Sequence, residues 1–447
     1  MDSLFILPLI FIFNFAALAI GRRFAPARYR VYVLPALAGL ALIGLAFSAR
    51  DLPHSNAPGA ITLFNFTLTP SLSPRLTLDF VSLFPFIVVL VGWGALALLD
   101  EADDVGGGGE WLWLAALFPL VTAGNILTLI GAMLFNDVVA LVYFARRESA
   151  TTARRYFVTN QLGTFALLVA AVLASASALD LNSDKLVLSD VAGFFALVSI
   201  GIRLNLFPFH VALPFNYWLT PARPLWSLLT PGVMTLAVLA RLTTWLPAEF
   251  ANAQWLYAWV FVSLMFAGIQ AWRENNTATA FIWLWQIFLT LAFAVPLFAT
   301  GESRVTSLAV SVAAAFAPVL IECAQRVTFA IRGLPIGKVL YVWAIAMLAG
   351  VPLTAAFLAR LSLYAGAWDR GLAVLIFLAL LGLVFGLSPL AARWWALAPA
   401  PDRAPTPREG IALGVVAAFV LLTSLTPLSL LSWVDPGLAR SASQMTQ

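Results

Sequence analysis

The sequence predicts an all-α polytopic membrane protein of about fourteen transmembrane helices, with the seventh and twelfth interrupted and two inverted five-helix repeats. Three observations predict it. The composition is 62% apolar and 10% charged, against roughly half and a quarter in a soluble domain. The mean hydropathy is +0.94, and the excess runs through the whole chain, so the solvent must be lipid. Finally, two of the apolar runs carry proline and arginine at matched places.

A spanning helix needs about 20 predominantly apolar residues. Such runs fall at 4–20, 31–47, 78–99, 111–126, 127–145, 157–178, 191–217, 225–246, 255–272, 278–299, 305–321, 339–364, 372–390 and 411–431. Nothing basic precedes the first run and no small-residue cleavage site follows it, so it reads as a span and not as a cleaved signal. The runs divide the chain into residues 1–110, with the first three helices, a five-helix unit at 111–246, a second at 255–391, and a last helix with a short tail at 409–447.

Arginine and lysine set the orientation. Arg22, Arg23, Arg28 and Arg30 follow the first run, and Arg146, Arg147, Arg154 and Arg155 follow the fifth. Arg326, Arg332 and Lys338 follow the eleventh, and Arg393, Arg403 and Arg408 follow the thirteenth. All of these loops share one side, while Asp180, Asp184 and Asp190 lie on the other. The positive-inside rule then places both termini outside a cell inner membrane. The pI near 9.5 reflects these loops and does not suggest nucleic acid.

Cys323 is the one cysteine, which excludes a disulfide framework, a Cys-ligated zinc and an iron–sulfur cluster. The two histidines are His54, in a polar loop, and His210, so haem is not expected. No cofactor and no metal is expected.

Span seven reads Ser199-Ile-Gly-Ile-Arg203-Leu-Asn-Leu-Phe-Pro208-Phe-His210-Val-Ala-Leu-Pro214, and span twelve holds Leu348-Ala-Gly350-Val-Pro352-Leu-Thr-Ala-Ala-Phe-Leu-Ala-Arg360. Proline removes a backbone donor and clashes one turn back. Breaks are expected near 207–214 and 350–354. Freed carbonyls at membrane depth are tolerable only inside protein or along a wet cavity. The two spans are five apart, so each is the fourth helix of its unit, and an odd number per unit inverts the second. Matched interruptions of this kind point to a transport pathway. Arg203 and Arg360 are candidate pathway residues, because arginine in lipid marks function by default. The plainer alternatives are a structural pairing for Arg203 and snorkelling to the interface for Arg360. His210 is either a titrating group or a hydrogen-bonded filler. Spans nine to thirteen offer Gln270, Gln286, Glu322 and Gln325, with Glu322 one turn before Arg326 and so placed for a helix-surface ion pair.

At these residues the chain resembles the antiporter-like subunits of respiratory complex I, a superfamily shared with Mrp-type sodium/proton antiporters. Phe207-Pro-Phe-His210, Trp218-Leu-Thr-Pro-Ala222 with Pro224, Gly350 to Arg360, and Arg155-Tyr-Phe-Val-Thr-Asn-Gln-Leu-Gly163 carry the likeness, over roughly 110–390. The resemblance implies an antiporter-like subunit of a complex I-like NADH:quinone oxidoreductase. Its partners would be other membrane subunits, with a quinone-reducing redox arm on other chains. A membrane subunit of a Mrp-type antiporter or a DAB-type inorganic-carbon uptake complex is the alternative. Only 435–447 follow the last run, which implies a module without the family's long lateral helix.

The departures matter. Where the family has an exchangeable lysine this chain has Arg203; Arg360 stands where Lys or Glu is usual, and Gly232 where Lys or His is common. Asn136-Asp-Val-Val-Ala-Leu-Val-Tyr-Phe144 matches the start of the family's fifth helix, but Arg146 stands at its Glu. Lysine can shed its proton when desolvated, whereas arginine stays charged. The expectation is a channel either working in altered form or idle as a structural module. The partner of Arg203 is Asp137, Glu148 or the carbonyls freed by Pro208.

Overall fold

The computed structural model describes residues 26–50, 59–62, 75–78, 80–99, 108–147, 150–174, 188–212, 225–243, 253–275, 277–298, 303–327, 329–331, 333–352, 354–394 and 404–425, with a few isolated positions. Most of the first apolar run, His54, Glu148, Asp180, Asp184, Pro214, residues 218–224 and the tail after 425 lie outside the described residues.

The helices are α1 Ala27–Arg50, α2 Phe80–Leu99, α3 Gly108–Thr122, α4 Ile126–Arg147, α5 Ala150–Leu173, α6 Asp190–Arg203, α7 Leu225–Leu242, α8 Gln254–Arg273, α9 Thr277–Phe298, α10 Ser303–Ala314, α11 Ala317–Arg326, α12 Ile336–Ala349, α13 Ala355–Asp369, α14 Ala373–Trp394 and α15 Pro407–Leu425. A 3₁₀ turn, Phe209–Ala212, follows α6. By length and composition Ile126–Arg146, Ala150–Leu173 and Gln254–Arg273 can cross a membrane, and shorter apolar helices include Phe84–Leu99 and Ile336–Ala349.

The fold departs from a purely helical reading in two short antiparallel ribbons. Strand β1 (Gly59–Thr62) pairs with β2 (Arg75–Leu78), and β3 (Ala330–Ile331) with β4 (Leu334–Pro335). Gly333, at φ 77°, supplies the left-handed turn of the second ribbon.

Local chemistry explains the joints. Between α3 and α4, the Asn125 side chain accepts from Thr128 N at 2.8 Å and Thr128 Oγ1 at 2.7 Å. That N-cap separates two apolar runs the sequence leaves almost continuous. Span eleven is not one helix: α10 stops at Ala314 and α11 starts at Ala317. Pro318 lacks the N–H that would bond Ala314, and its ring crowds that carbonyl, so the chain steps through Ala315 and Phe316.

Helix α9 is the centre of the bundle. Residues 280–295 are buried on every side, as an all-round apolar helix must be. Trp285, Phe281 and Phe293 are among its fully buried side chains. Helix α8 packs on α9 and on α14. A Cβ on Gly268 would lie 3.2 Å from Gly382 Cα, so α8 and α14 meet through small residues, the usual way for helices to approach in lipid.

Candidate ion-pair site at the broken helices

Helix α4 presents Met133, Asn136, Asp137, Ala140 and Phe144 inward, at helical spacing and all buried. Helix α5 faces it with Tyr156, Asn160, Gly163, Thr164, Leu167 and Ala170. Gly163 lets α6 come close: a Cβ there would sit 3.2 Å from Ser199 O and 3.4 Å from Arg203 Cγ. Helix α6 is capped at its start by Ser189, which accepts from Ala192 N, and ends on Arg203, a favourable place for a cation beside the helix dipole.

Arg203 reaches across α5 to Asp137. Its Nη1 donates to Asp137 Oδ1 at 3.0 Å and its Nη2 to Oδ2 at 2.9 Å. Nη2 also donates to Thr164 Oγ1. Gln161 Nε2 donates to Asp137 Oδ2 at 2.9 Å, and Thr164 Oγ1 is 3.3 Å from the same oxygen. Asp137 is 0% and Arg203 6% exposed. The arrangement is a bidentate arginine–carboxylate fork, a strong geometry for such a pair. The carboxylate takes donors from three directions, which the buried charge requires.

Span seven breaks immediately after Arg203, earlier than the prolines suggest. Asn205 adopts φ 56°, the left-handed region. Asn205 N bonds Ile202 O at 3.0 Å and Leu206 N bonds Gly201 O at 2.9 Å, which is a Schellman closure. Asn205 closes α6, and Pro208, which lacks the N–H that would bond Leu204 O, keeps the helix from continuing past it. The second half of the bundle takes up two of the freed carbonyls. Gln286 Nε2 on α9 donates to Leu204 O at 2.8 Å, and Trp259 Nε1 on α8 to Phe207 O at 2.6 Å. The Trp259 ring lies over Gly201, where a Cβ would come within 2.1 Å of it.

Span twelve closes in the same way. Gly350 has φ 64°, its N–H bonds Met347 O at 3.1 Å, and Val351 N bonds Ala346 O at 3.1 Å. Arg360, on α13, turns back: Nη1 donates to Ala349 O and Nη2 to Leu348 O. At 5% exposure it does not snorkel. It caps the C-terminal carbonyls of α12, which α12 itself leaves unpaired. The two arginines thus do different work: Arg203 binds a carboxylate on another helix, and Arg360 staples its own break.

The other sequence candidates lie apart from the Arg203 network. His210 packs among Phe207, Phe266 and Trp283, with ring centroids at 5.7, 4.4 and 5.8 Å, and its Nδ1 is buried without a hydrogen-bond partner. Glu322 pairs with Arg326 at 3.4 Å one turn on, and Arg326 also donates to Leu96 O on α2 at 3.2 Å. Pro208 and Pro352 follow the two closures. Gly232 packs against Leu289, leaving its position apolar.

No family model matches the chain. A curated relative, NADH-quinone oxidoreductase subunit N 1 of Herpetosiphon aurantiacus, is 26% identical over 267 residues, covering 53% of this chain and 52% of that one. The chain therefore spans about half the length of the curated relative it matches. Whole-chain likeness comes from solved structures. A chain of respiratory complex I from Thermus thermophilus, with bound NADH, superposes with a TM-score of 0.74 at 17% identity over 100% of both chains. The chain shares the fold of this respiratory-complex chain. A chain of the Mrp complex from Dietzia sp. DQ12-45-1b matches this chain with a TM-score of 0.73 at 14% identity over 98% of both. A chain of the membrane-bound sulfane sulfur reductase, an archaeal respiratory membrane complex, matches at 0.76 and 15%, over 98% of this chain and 97% of that one.

The buried carboxylate of this chain does not stand at the position that resembles the Glu of the antiporter-like subunits. Asp137 lies nine residues before Arg146, the position that resembles the family's Glu. At about 1.5 Å per residue that is on the order of 13 Å along α4. Arg146 itself is exposed. Sequence reasoning did not single out Asn205, Gln161, Thr164 or Trp259. Asn is the non-glycine residue most at ease in the left-handed region, so Asn205 was open to detection.

Proposed function

We propose that the chain is a membrane module of a multisubunit, complex I-like NADH:quinone oxidoreductase in which the proton path of the first half is closed by a fixed ion pair. This reading includes fourteen spanning helices, two inverted five-helix units, an inner-membrane location with both termini outside, and a redox arm on other chains. The like-built closures at Asn205 and Gly350, each in the fourth span of a unit, support the repeat.

The observation that carries the proposal is the buried, bidentate Arg203–Asp137 fork, with Gln161 as a further donor to the carboxylate. A proton relay needs a group that can lose its proton and a partner that can take one. Arginine stays charged in proteins. Asp137 can gain a proton only by giving up a charged, bidentate donor inside the bundle. The pair holds three helices together and passes nothing. A second reading, a membrane subunit of a non-redox cation/proton antiporter, is supported by the likeness to the Mrp complex chain; the closed pair would have the same consequence there.

The test is the Arg203→Met/Asp137→Asn double variant in the assembled complex, with protons moved per electron pair measured alongside complex yield. The expected result is an unchanged proton count per turnover in whatever complex assembles. A lower count in fully assembled complex would overturn the proposal.

A further inference from the structure

Helices α4 and α5 pack against each other and turn one continuous face outward. On α4 the exposed stripe is Leu134, Phe135, Val138 and Val142, and it ends at exposed Arg146. On α5 it starts at exposed Arg154 and Arg155 and continues through Val158, Leu162, Phe165, Leu168 and Val172. Because the helices run antiparallel through a short link, the three guanidinium groups share one end of the wall. Neither stripe holds an acidic residue, and none of the three arginines has an ion-pair partner among the described residues. Among the described residues, the opposite end of the wall carries no charge.

We propose that this face binds an anionic phospholipid of the basic-side leaflet, with its phosphate among Arg146, Arg154 and Arg155 and its acyl chains along the α4–α5 wall. The proposal rests on the membrane reading above. Three features favour a lipid over a neighbouring protein helix. Among the described residues charge is confined to one end, matching a molecule with one anionic head and an apolar tail. From Val158 to Val172 the stripe runs about 21 Å at 1.5 Å per residue, enough for the roughly 15 Å of acyl chain in one leaflet. Helices that meet in lipid do so through small residues, whereas this face shows bulky ones, with Phe165 at 64% and Val172 at 77% exposure. The small residues of α5, including Gly163, Ala166 and Ala170, face inward. Basic residues at a membrane surface draw anionic lipid, and the effect is salt-dependent.

The experiment uses the full chain in phosphatidylcholine vesicles carrying spin-labelled phosphatidylglycerol or spin-labelled phosphatidylcholine. Recovery in the carbonate-washed membrane fraction is scored first, and its failure would count against the membrane reading itself. The expected result is a several-fold preference for immobilised phosphatidylglycerol, weakened at high salt. It should fall to near parity in the Arg146→Gln/Arg154→Gln/Arg155→Gln variant and survive in the matching triple Lys variant. An undiminished preference in the Gln variant would overturn the proposal. So would a photo-crosslinker at Phe165 that captures a protein subunit and not lipid in the assembled complex.

Discussion

Arg203→Met is expected to destabilise the chain by about 3–5 kcal/mol, the typical loss when one partner of a buried ion pair is removed. The reason is what stays behind. Asp137, 0% exposed, would keep only Gln161 and Thr164 as donors, and a lone buried carboxylate is costly in lipid. Asp137→Asn should cost a similar amount by stranding the guanidinium. The double variant should recover much of the loss, because no charge remains to be stranded. Arg203→Lys should fall between, since an ammonium group cannot make two parallel bonds to the carboxylate. Thermal unfolding in detergent, together with the yield of assembled complex, measures all four. Additive losses in the double variant would show that the two residues do not act as a pair.

Gly350→Ala is expected to cost about 2–5 kcal/mol, from two sources that act together. A side chain in the left-handed region costs roughly 1–2 kcal/mol, and overpacking a tight site typically costs 1–3 kcal/mol. The added Cβ would lie 2.5 Å from Arg360 Cδ. Moving Arg360 aside would release its bonds to the carbonyls of Leu348 and Ala349, leaving buried acceptors unpaired. The same substitution at Gly410, where a Cβ meets nothing within 4 Å, should be nearly neutral. The pair of variants, compared by unfolding, separates a local helix effect from the break.

The two breaks show what the sequence made legible. Proline at matched places located them to within a few residues, because proline's effect on a helix is local and steric. Asn205 decided the end of α6 through a backbone dihedral that many residues avoid but none is required to adopt. The orientation of Arg360 was not legible, since a side chain ten residues beyond Gly350 could extend toward the interface or fold back, and only the chain path between them chooses. Asp137 was one of three candidate partners for Arg203. Its selection depended on α4 and α6 being brought together by Gly163 on α5, a contact between segments 66 residues apart in sequence. Trp259 and Gln286 illustrate the same limit: the carbonyls they cap exist only once α6 has broken. The kink at Pro318 could have been read, since its proline lies inside an apolar run like the others.

The Arg203–Asp137 pair is expected to stay closed while the complex works. Infrared difference spectroscopy of the assembled complex during turnover tests it most directly. With the pair closed, no protonated-carboxyl C=O band that disappears in the Asp137→Asn variant is expected at any stage of the cycle. A turnover-dependent band of that kind, lost with Asp137→Asn, would show Asp137 taking up and releasing a proton and would contradict the closed pair.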